Sequence, residues 1–208
     1  MNKVNYQNET DKIIERIENE SATPKLLLHS CCAPCSSYTL EYLSQFFSIT
    51  VFYYNPNISP QEEFEKRFSE QKRLIEVLPV KNKISLVKGE YNHGDFIRIA
   101  KGLEDVKEGG ERCFKCYRQR LEKSAEFAKE NGFDYFCTTL TISPLKNSQK
   151  INEIGFEVAK QYSVEWLPSD FKKKEGYKRS IELSREYDLY RQSFCGCIYS
   201  QKAKEEEN

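Results

Sequence analysis

"KLLLHSCCAPC" (residues 25–35) decides the fold: a continuous apolar run, Leu26-Leu27-Leu28, ends in three cysteines within five positions. A short run with no polar alternation is what a strand buried on both faces shows. The stretch from Ser36 to about Phe46 has a helical pattern, so the thiols stand where a buried strand hands over to a helix.

Outward from that strand the pattern repeats. "SITVFYYN" (48–55) is rich in β-branched and aromatic residues and predicts a second strand. "PNISP" breaks the chain, and Pro60 with Glu62 and Glu63 opens a helix to about Leu78. "KISLV" (83–87), "FDYFCTTLT" (133–141) and "SVEWL" (163–167) predict three further strands. Helices are predicted over 112–131, 148–162 and about 175–187, with Phe114, Tyr117, Leu121, Ala125 and Ala128 at helical spacing in the first. The glycine-bearing segment from Gly89 to Gly110 is expected to be mobile. Residues 1–23 are expected to be an N-terminal helical extension, with Ile13, Ile14 and Ile17 on one face of a helix over 8–20. Residues 24–200 are expected to form one metal-binding catalytic domain and 201–208 a charged tail. Strands alternating with helices predict a Rossmann-like α/β fold, about five parallel strands with helices on both faces. In such sheets sites gather at the carboxyl ends of strands. Cys31, Cys32 and Cys35 fall there, as do Asn55 and Asn57, Thr138 to Ser143, and Asp170.

Composition narrows the class. The 208 residues suffice for one domain with its own core, without disulfide staples. No apolar run approaches the ~18 residues of a membrane span. The polar, acidic start "MNKVNYQNETDKIIERIENE" has no signal-peptide core. A reducing cytoplasm is therefore expected, where clustered cysteines are more often metal ligands or catalytic groups than disulfides. The 32 basic and 32 acidic residues cancel, which argues against a general polyanion binder but not against one basic face.

Seven of the eight cysteines cluster: 31, 32 and 35; 113 and 116; 195 and 197. Cys137, alone in an apolar strand, is expected in the core. Cys113 and Cys116 share a face at a helix start, where thiolates are stabilised. Gly196 lets the backbone bend between Cys195 and Cys197. One structural zinc would use four thiols and leave three. Disulfides conflict with the compartment. An iron–sulfur cluster takes three or four cysteines, and a second metal with a position open for substrate could use the rest. Adjacent Cys31 and Cys32 must point different ways, which suits two neighbouring centres.

Six ordered stretches resemble the QueH-type epoxyqueuosine reductases, cobalamin-independent enzymes of the last step of queuosine synthesis in tRNA. They are "LLLHSCCAPCSSY" (26–38), "FYYNPNISPQEEFEKR" (52–67), "RCFKCYRQRL" (112–121), "TTLTISPLKN" (138–147), "DFKKKEGYKRS" (170–180) and "LYRQSFCGCIYS" (189–200). The resemblance implies an ATP-pyrophosphatase-like sheet, although "HSCCAPCSS" stands in place of that group's phosphate loop. It implies a [4Fe–4S] cluster beside a second metal ion, expected to be iron. Their ligands are expected among Cys31, Cys32, Cys35, Cys113, Cys116, Cys195 and Cys197. Some relatives have an Asp in the "CCAP" motif where Cys35 stands here, so the second site is expected to be richer in sulfur. The implied substrate is tRNA with epoxyqueuosine at the anticodon wobble position. With no flavin or nicotinamide fingerprint in the chain, electrons are expected from an external donor protein.

Tyr54, His29 and Asp170 are the expected proton donors. Tyr53, Tyr54, Tyr117, Phe171 and Tyr190 are candidate platforms for bases, and Lys172, Lys173, Lys174, Arg179 and Arg191 candidate phosphate contacts. Two other readings remain: a thioredoxin-like dithiol oxidoreductase, from Cys32-Ala-Pro-Cys35, and a non-enzymatic zinc module that binds RNA.

Overall fold

The computed structural model describes residues 4–206. Five strands form one sheet: β1 (Lys25–His29), β2 (Ser48–Tyr53), β3 (Ile84–Lys88), β4 (Tyr135–Thr138) and β5 (Glu165–Trp166). Every pairing is parallel, in the order β3-β2-β1-β4-β5. The expected α/β fold is thus observed.

Side chains alternate across the central strand, as the two-residue period requires. Leu26 and Leu28 join one core layer with Ile49, Val51 and Cys137; Leu27 joins the other with Phe52 and Phe136. The first layer is covered by α1 (Tyr6–Asn19), α2 (Ala33–Leu43) and α3 (Gln61–Val77), through Ile14, Ile17, Leu40, Leu43 and Leu74. The second is covered by α5 (Glu111–Glu130) and α6 (Ser148–Tyr162), through Leu121, Ala125, Ala128, Ile151, Ile154 and Val158. Residues 1–3 of the expected extension lie outside the described residues, but its helix is seated on the sheet. Thr10 Oγ1 donates to the Pro168 carbonyl (2.6 Å) and Arg16 bonds the Tyr135 hydroxyl.

Three elements depart from expectation. The second helix begins at Ala33, not Ser36, because Pro34 fits a first helical turn; Cys35 is therefore helical. The segment expected to be mobile holds α4 (His93–Ala100), capped by Asn92, whose side chain accepts from Gly94 N (3.1 Å), and anchored by buried Phe96 and Ala100. Most of the charged tail is helical: after α7 (Gly176–Glu186), α8 runs Ile198–Glu206, and residues 207 and 208 lie outside the described residues.

β1 has β2 on one side and β4 on the other, so the crossover direction reverses between β1 and β4. That reversal opens a crevice at the strands' carboxyl ends. A short 3₁₀ turn, Thr139–Ile142, forms one lip and Cys31 the other, with Cys31 Sγ 4.0 Å from Thr139 Oγ1.

Candidate metal centre

β1 delivers Cys31 and Cys32 to the crevice, and the first turn of α2 adds Cys35. The three sulfurs lie within 4.8 Å of one another, a group able to hold a metal ion. Cys31 and Cys32 Sγ are 3.8 Å apart, both buried, while Cys35 is half-buried. Hydrogen bonds from Cys32 and Cys35 hold the Cys31 thiol well below its usual pKa, against the opposing effect of burial. The same bond to Cys31 pushes Cys32 up to about 12, and Cys35 is raised well above normal.

The other four thiols converge from two helix starts. Cys113 and Cys116 occupy the first two turns of α5, and Cys113 Sγ accepts from Gly109 N (3.2 Å). Cys197 sits at the start of α8, its sulfur accepting from Ser200 N (3.4 Å), and packs with Cys116, Phe96 and Ala100. Burial, then the charges of Cys195 and Cys197, push Cys113 up; burial above all takes Cys116 to about 12. These four share one electrostatic neighbourhood, yet among the described residues only Cys31, Cys32 and Cys35 close within 4.8 Å. Cys137 is buried in the first core layer, as expected.

Cations surround the thiols. Arg67 and Arg120 are 2% and 1% exposed. Arg67 Nε donates to Glu63 Oε1 (2.6 Å) and Nη1 to the Cys195 carbonyl (3.1 Å). Arg120 Nε donates to the Cys116 carbonyl (3.3 Å) and Nη1 to Asn55 Oδ1 (3.4 Å). Burial lowers the Lys146 ammonium pKa, but Cys195, Cys31, Tyr117 and Cys35 together raise it above normal. These residues fit a strongly anionic, sulfur-bound group: seven thiols that become thiolates on binding metal, with buried cations to balance them. Sequence reading missed Arg67, Arg120 and Lys146 as site residues. The signal lay in two stripes, Cys113-Cys116-Tyr117-Arg120 and Phe64-Arg67-Gln71-Leu74, where cations interrupt buried helix faces.

The three expected proton donors are placed differently. His29 is fully buried, and burial followed by the Arg120 charge lowers its pKa to about 3. Its Nε2 faces the Tyr54 carbonyl (3.1 Å), so that nitrogen carries the proton. Thr138 Oγ1, already accepting from Leu140 N, donates to Nδ1 (2.9 Å). His29 is a neutral pin between strands. Asp170 is ion-paired with Lys172 (2.8 Å) and accepts from Ser148 (3.2 Å). Tyr54 is buried against Phe52, and burial raises its pKa. Tyr117 is also buried; burial first, then Cys113 and Cys195, raise its pKa, against Lys146.

Comparison with known proteins gives the family. The family described as "Epoxyqueuosine reductase QueH" matches residues 26–203. A Streptococcus pyogenes protein named epoxyqueuosine reductase QueH is 46% identical over 202 residues, 96% of this chain and 79% of that protein. Its namesake from Staphylococcus epidermidis is 45% identical over 95% of this chain and 85% of its own. One from Thermotoga maritima is 32% identical over 88% of this chain and 93% of its own. With every thiol cluster inside the matched span, this chain belongs to the epoxyqueuosine reductase QueH family.

Proposed function

We propose that this protein is an epoxyqueuosine reductase, which removes the epoxide oxygen of epoxyqueuosine in tRNA to give the alkene of queuosine and water. What supports this reading is the close group of Cys31, Cys32 and Cys35 in a QueH-family chain, with Cys116 and Cys195 acting on the same Arg120 charge as Cys31. Removing the oxygen as water takes two electrons and two protons. No side chain supplies electrons at such potentials, so a redox cofactor is needed.

Sulfurs on one ion lie ~3.8 Å apart if each metal–sulfur bond is ~2.3 Å. Cys31 and Cys32, 3.8 Å apart, match that spacing and Cys35 lies within 4.8 Å of both, which supports their holding the second metal, iron in our reading. The wider set, Cys113, Cys116, Cys195 and Cys197, suits a [4Fe–4S] cluster, where each thiolate meets a different iron. The chemistry such groups supply is single-electron reduction together with Lewis-acid withdrawal of charge from oxygen.

The chain's own contribution is protons, position and exclusion of water. In our reading Lys146, held charged beside the thiols, opposes negative charge that develops on the substrate oxygen, and the Tyr117 hydroxyl in its field carries a proton. His29, neutral and doubly hydrogen-bonded, orients the strand end, and Asp170 anchors Lys172. Reducing equivalents come from an external donor protein, in a cytoplasmic setting. Among the described residues, no helix is long and apolar enough to cross a membrane. The dithiol alternative is not favoured: Cys32-Ala-Pro-Cys35 lies within a three-sulfur group, and four more thiols face the same crevice.

The test is anaerobic purification, iron and sulfide analysis, and a deoxygenation assay on tRNA bearing epoxyqueuosine. Cys113→Ser and Cys197→Ser should each lose cluster and turnover; full cluster content with full activity in either would defeat the assignment.

A further inference from the structure

A guanidinium has five N–H donors and no acceptor, so a buried N–H without a partner marks the place of a missing acceptor. Two such groups flank the thiols. Arg67 Nη2 and Arg120 Nη2 are both buried and unpartnered, although Nε and Nη1 of each side chain make hydrogen bonds. Among the described residues no carboxylate pairs with Arg120 within 4.0 Å, and only Glu63 pairs with Arg67.

The two arginines come from different helices. Arg67, on α3, grips the carbonyl of Cys195; Arg120, on α5, grips that of Cys116. The charge of Arg67 acts on Cys32 and Cys31, and that of Arg120 on Cys116, Cys195 and Cys31. Each guanidinium is therefore fixed by a thiol-bearing backbone; Arg120 sits within the field of both thiol groups and Arg67 within that of Cys31 and Cys32.

We propose that Arg67 and Arg120 are positioning residues whose Nη2 groups donate hydrogen bonds to sulfur of the iron–sulfur group, setting its charge and reduction potential. This rests on the reading that the seven thiols hold such a group. Reduction adds negative charge, so a nearby cation and an N–H···S bond stabilise the reduced form and raise the potential. Taking both away must lower it.

The experiment uses intact, anaerobically purified protein. Iron and sulfide in the wild type are measured first; their absence overturns the functional reading and this inference together. With the group present, Arg120→Gln and Arg67→Gln are compared with Arg120→Lys and Arg67→Lys by spectroelectrochemical titration. Resonance Raman spectra of the Fe–S stretches are recorded in H₂O and D₂O. Each Gln variant is expected to disfavour reduction at least tenfold, about 59 mV for one electron. Lys at the same site should recover part of it, and the deuterium sensitivity of the Fe–S stretches should fall in the Gln variants. Gln variants with wild-type iron, sulfide, potential and deuterium shifts overturn the inference while leaving the function standing. A change in tRNA affinity alone, with the potential unmoved, also overturns it. If a Gln variant folds by circular dichroism but stays empty, loading of its Lys counterpart supports the inference, and an empty Lys variant overturns it.

Discussion

Gly196 separates two ligand candidates at φ +113°, a region side chains rarely adopt. A Cβ there would lie 2.9 Å from Arg67 Nη1 and 3.1 Å from Ile58 Cγ1, while its carbonyl accepts from Ser59 N (2.9 Å). Gly196→Ala is therefore expected to cost about 1–3 kcal/mol and to lower iron retention, read by thermal melting and iron content. Protonation gives a second prediction. Cys32, at about 12, and Cys35, also raised, must both lose protons when a metal joins Cys31. Affinity must then rise with pH, by up to ~100-fold per unit where two protons leave. Titration of the apoprotein with Co²⁺ between pH 6 and 8 checks this, and a flat profile would contradict it. The thiols were legible because clustered cysteines are rare and chemically specific. Side-chain direction was not. Tyr53 and Phe171, read as base platforms, are fully buried, and Tyr190 lies beneath Lys66 with its hydroxyl on Glu63. Lys172, Lys174 and Arg179, read as phosphate contacts, are ion-paired to Asp170, Asp11 and Glu41. Those pairings span up to 163 positions, which no local pattern reveals.

At the scale of elements, α6 and β5 meet through one missing side chain. Gly155 faces the Trp166 ring so closely that a Cβ would collide with it, and Trp166 Nε1 donates to Asn152 Oδ1 (3.0 Å) on the same helix. Helix propensity alone would favour Gly155→Ala by ~1 kcal/mol. Overpacking costs about 1–3 kcal/mol, and the rigid indole cannot yield without breaking its hydrogen bond, so the steric term wins. Urea unfolding of Gly155→Ala should show a lower midpoint with iron per folded molecule unchanged, since the contact lies at the sheet edge away from the thiols. A raised midpoint would show that the helix absorbs the methyl group. The strands were legible because β1, β2 and β4 are buried on both faces and carry apolar runs without alternation. α4 escaped notice because its eight residues, HGDFIRIA, bury chiefly Phe96 and Ala100 and lie among glycines. α8 escaped because its charged sequence offers little apolar stripe; Tyr199, under the Arg112 guanidinium at 4.3 Å, ties it down. The start of α2 was read three residues late because "CAPC" looked like a loop, whereas proline belongs in a first turn.

For the whole molecule, charge decides how tRNA is met. Equal numbers of acidic and basic residues give no net attraction, and much of the basic run at 171–180 is held in surface ion pairs. Arg179 alone bridges Glu41, Glu182 and Glu186, and Lys178 pairs with Glu175. Exposed pairs of this kind contribute little stability, but they lower the local positive potential that would draw phosphates. Arg67, Arg120 and Lys146 answer to the thiols and are not free to meet a backbone. Binding of the anticodon loop should therefore rest on shape and on the unstacked base more than on counterion release. Each phosphate contact to a single strand contributes a slope of about −0.7 in log K against log salt. With the basic run at 171–180 largely ion-paired, three to five contacts are expected, a slope of roughly −2 to −3.5. Binding of substrate tRNA to the iron-loaded protein, measured from 50 to 300 mM KCl, would give it directly. A slope near −7 would mean that the ion pairs along 171–180 open to receive the RNA. In that event Glu41→Gln, which removes the shortest of Arg179's three ion pairs, should tighten binding, whereas a shallow slope predicts that it leaves affinity nearly unchanged.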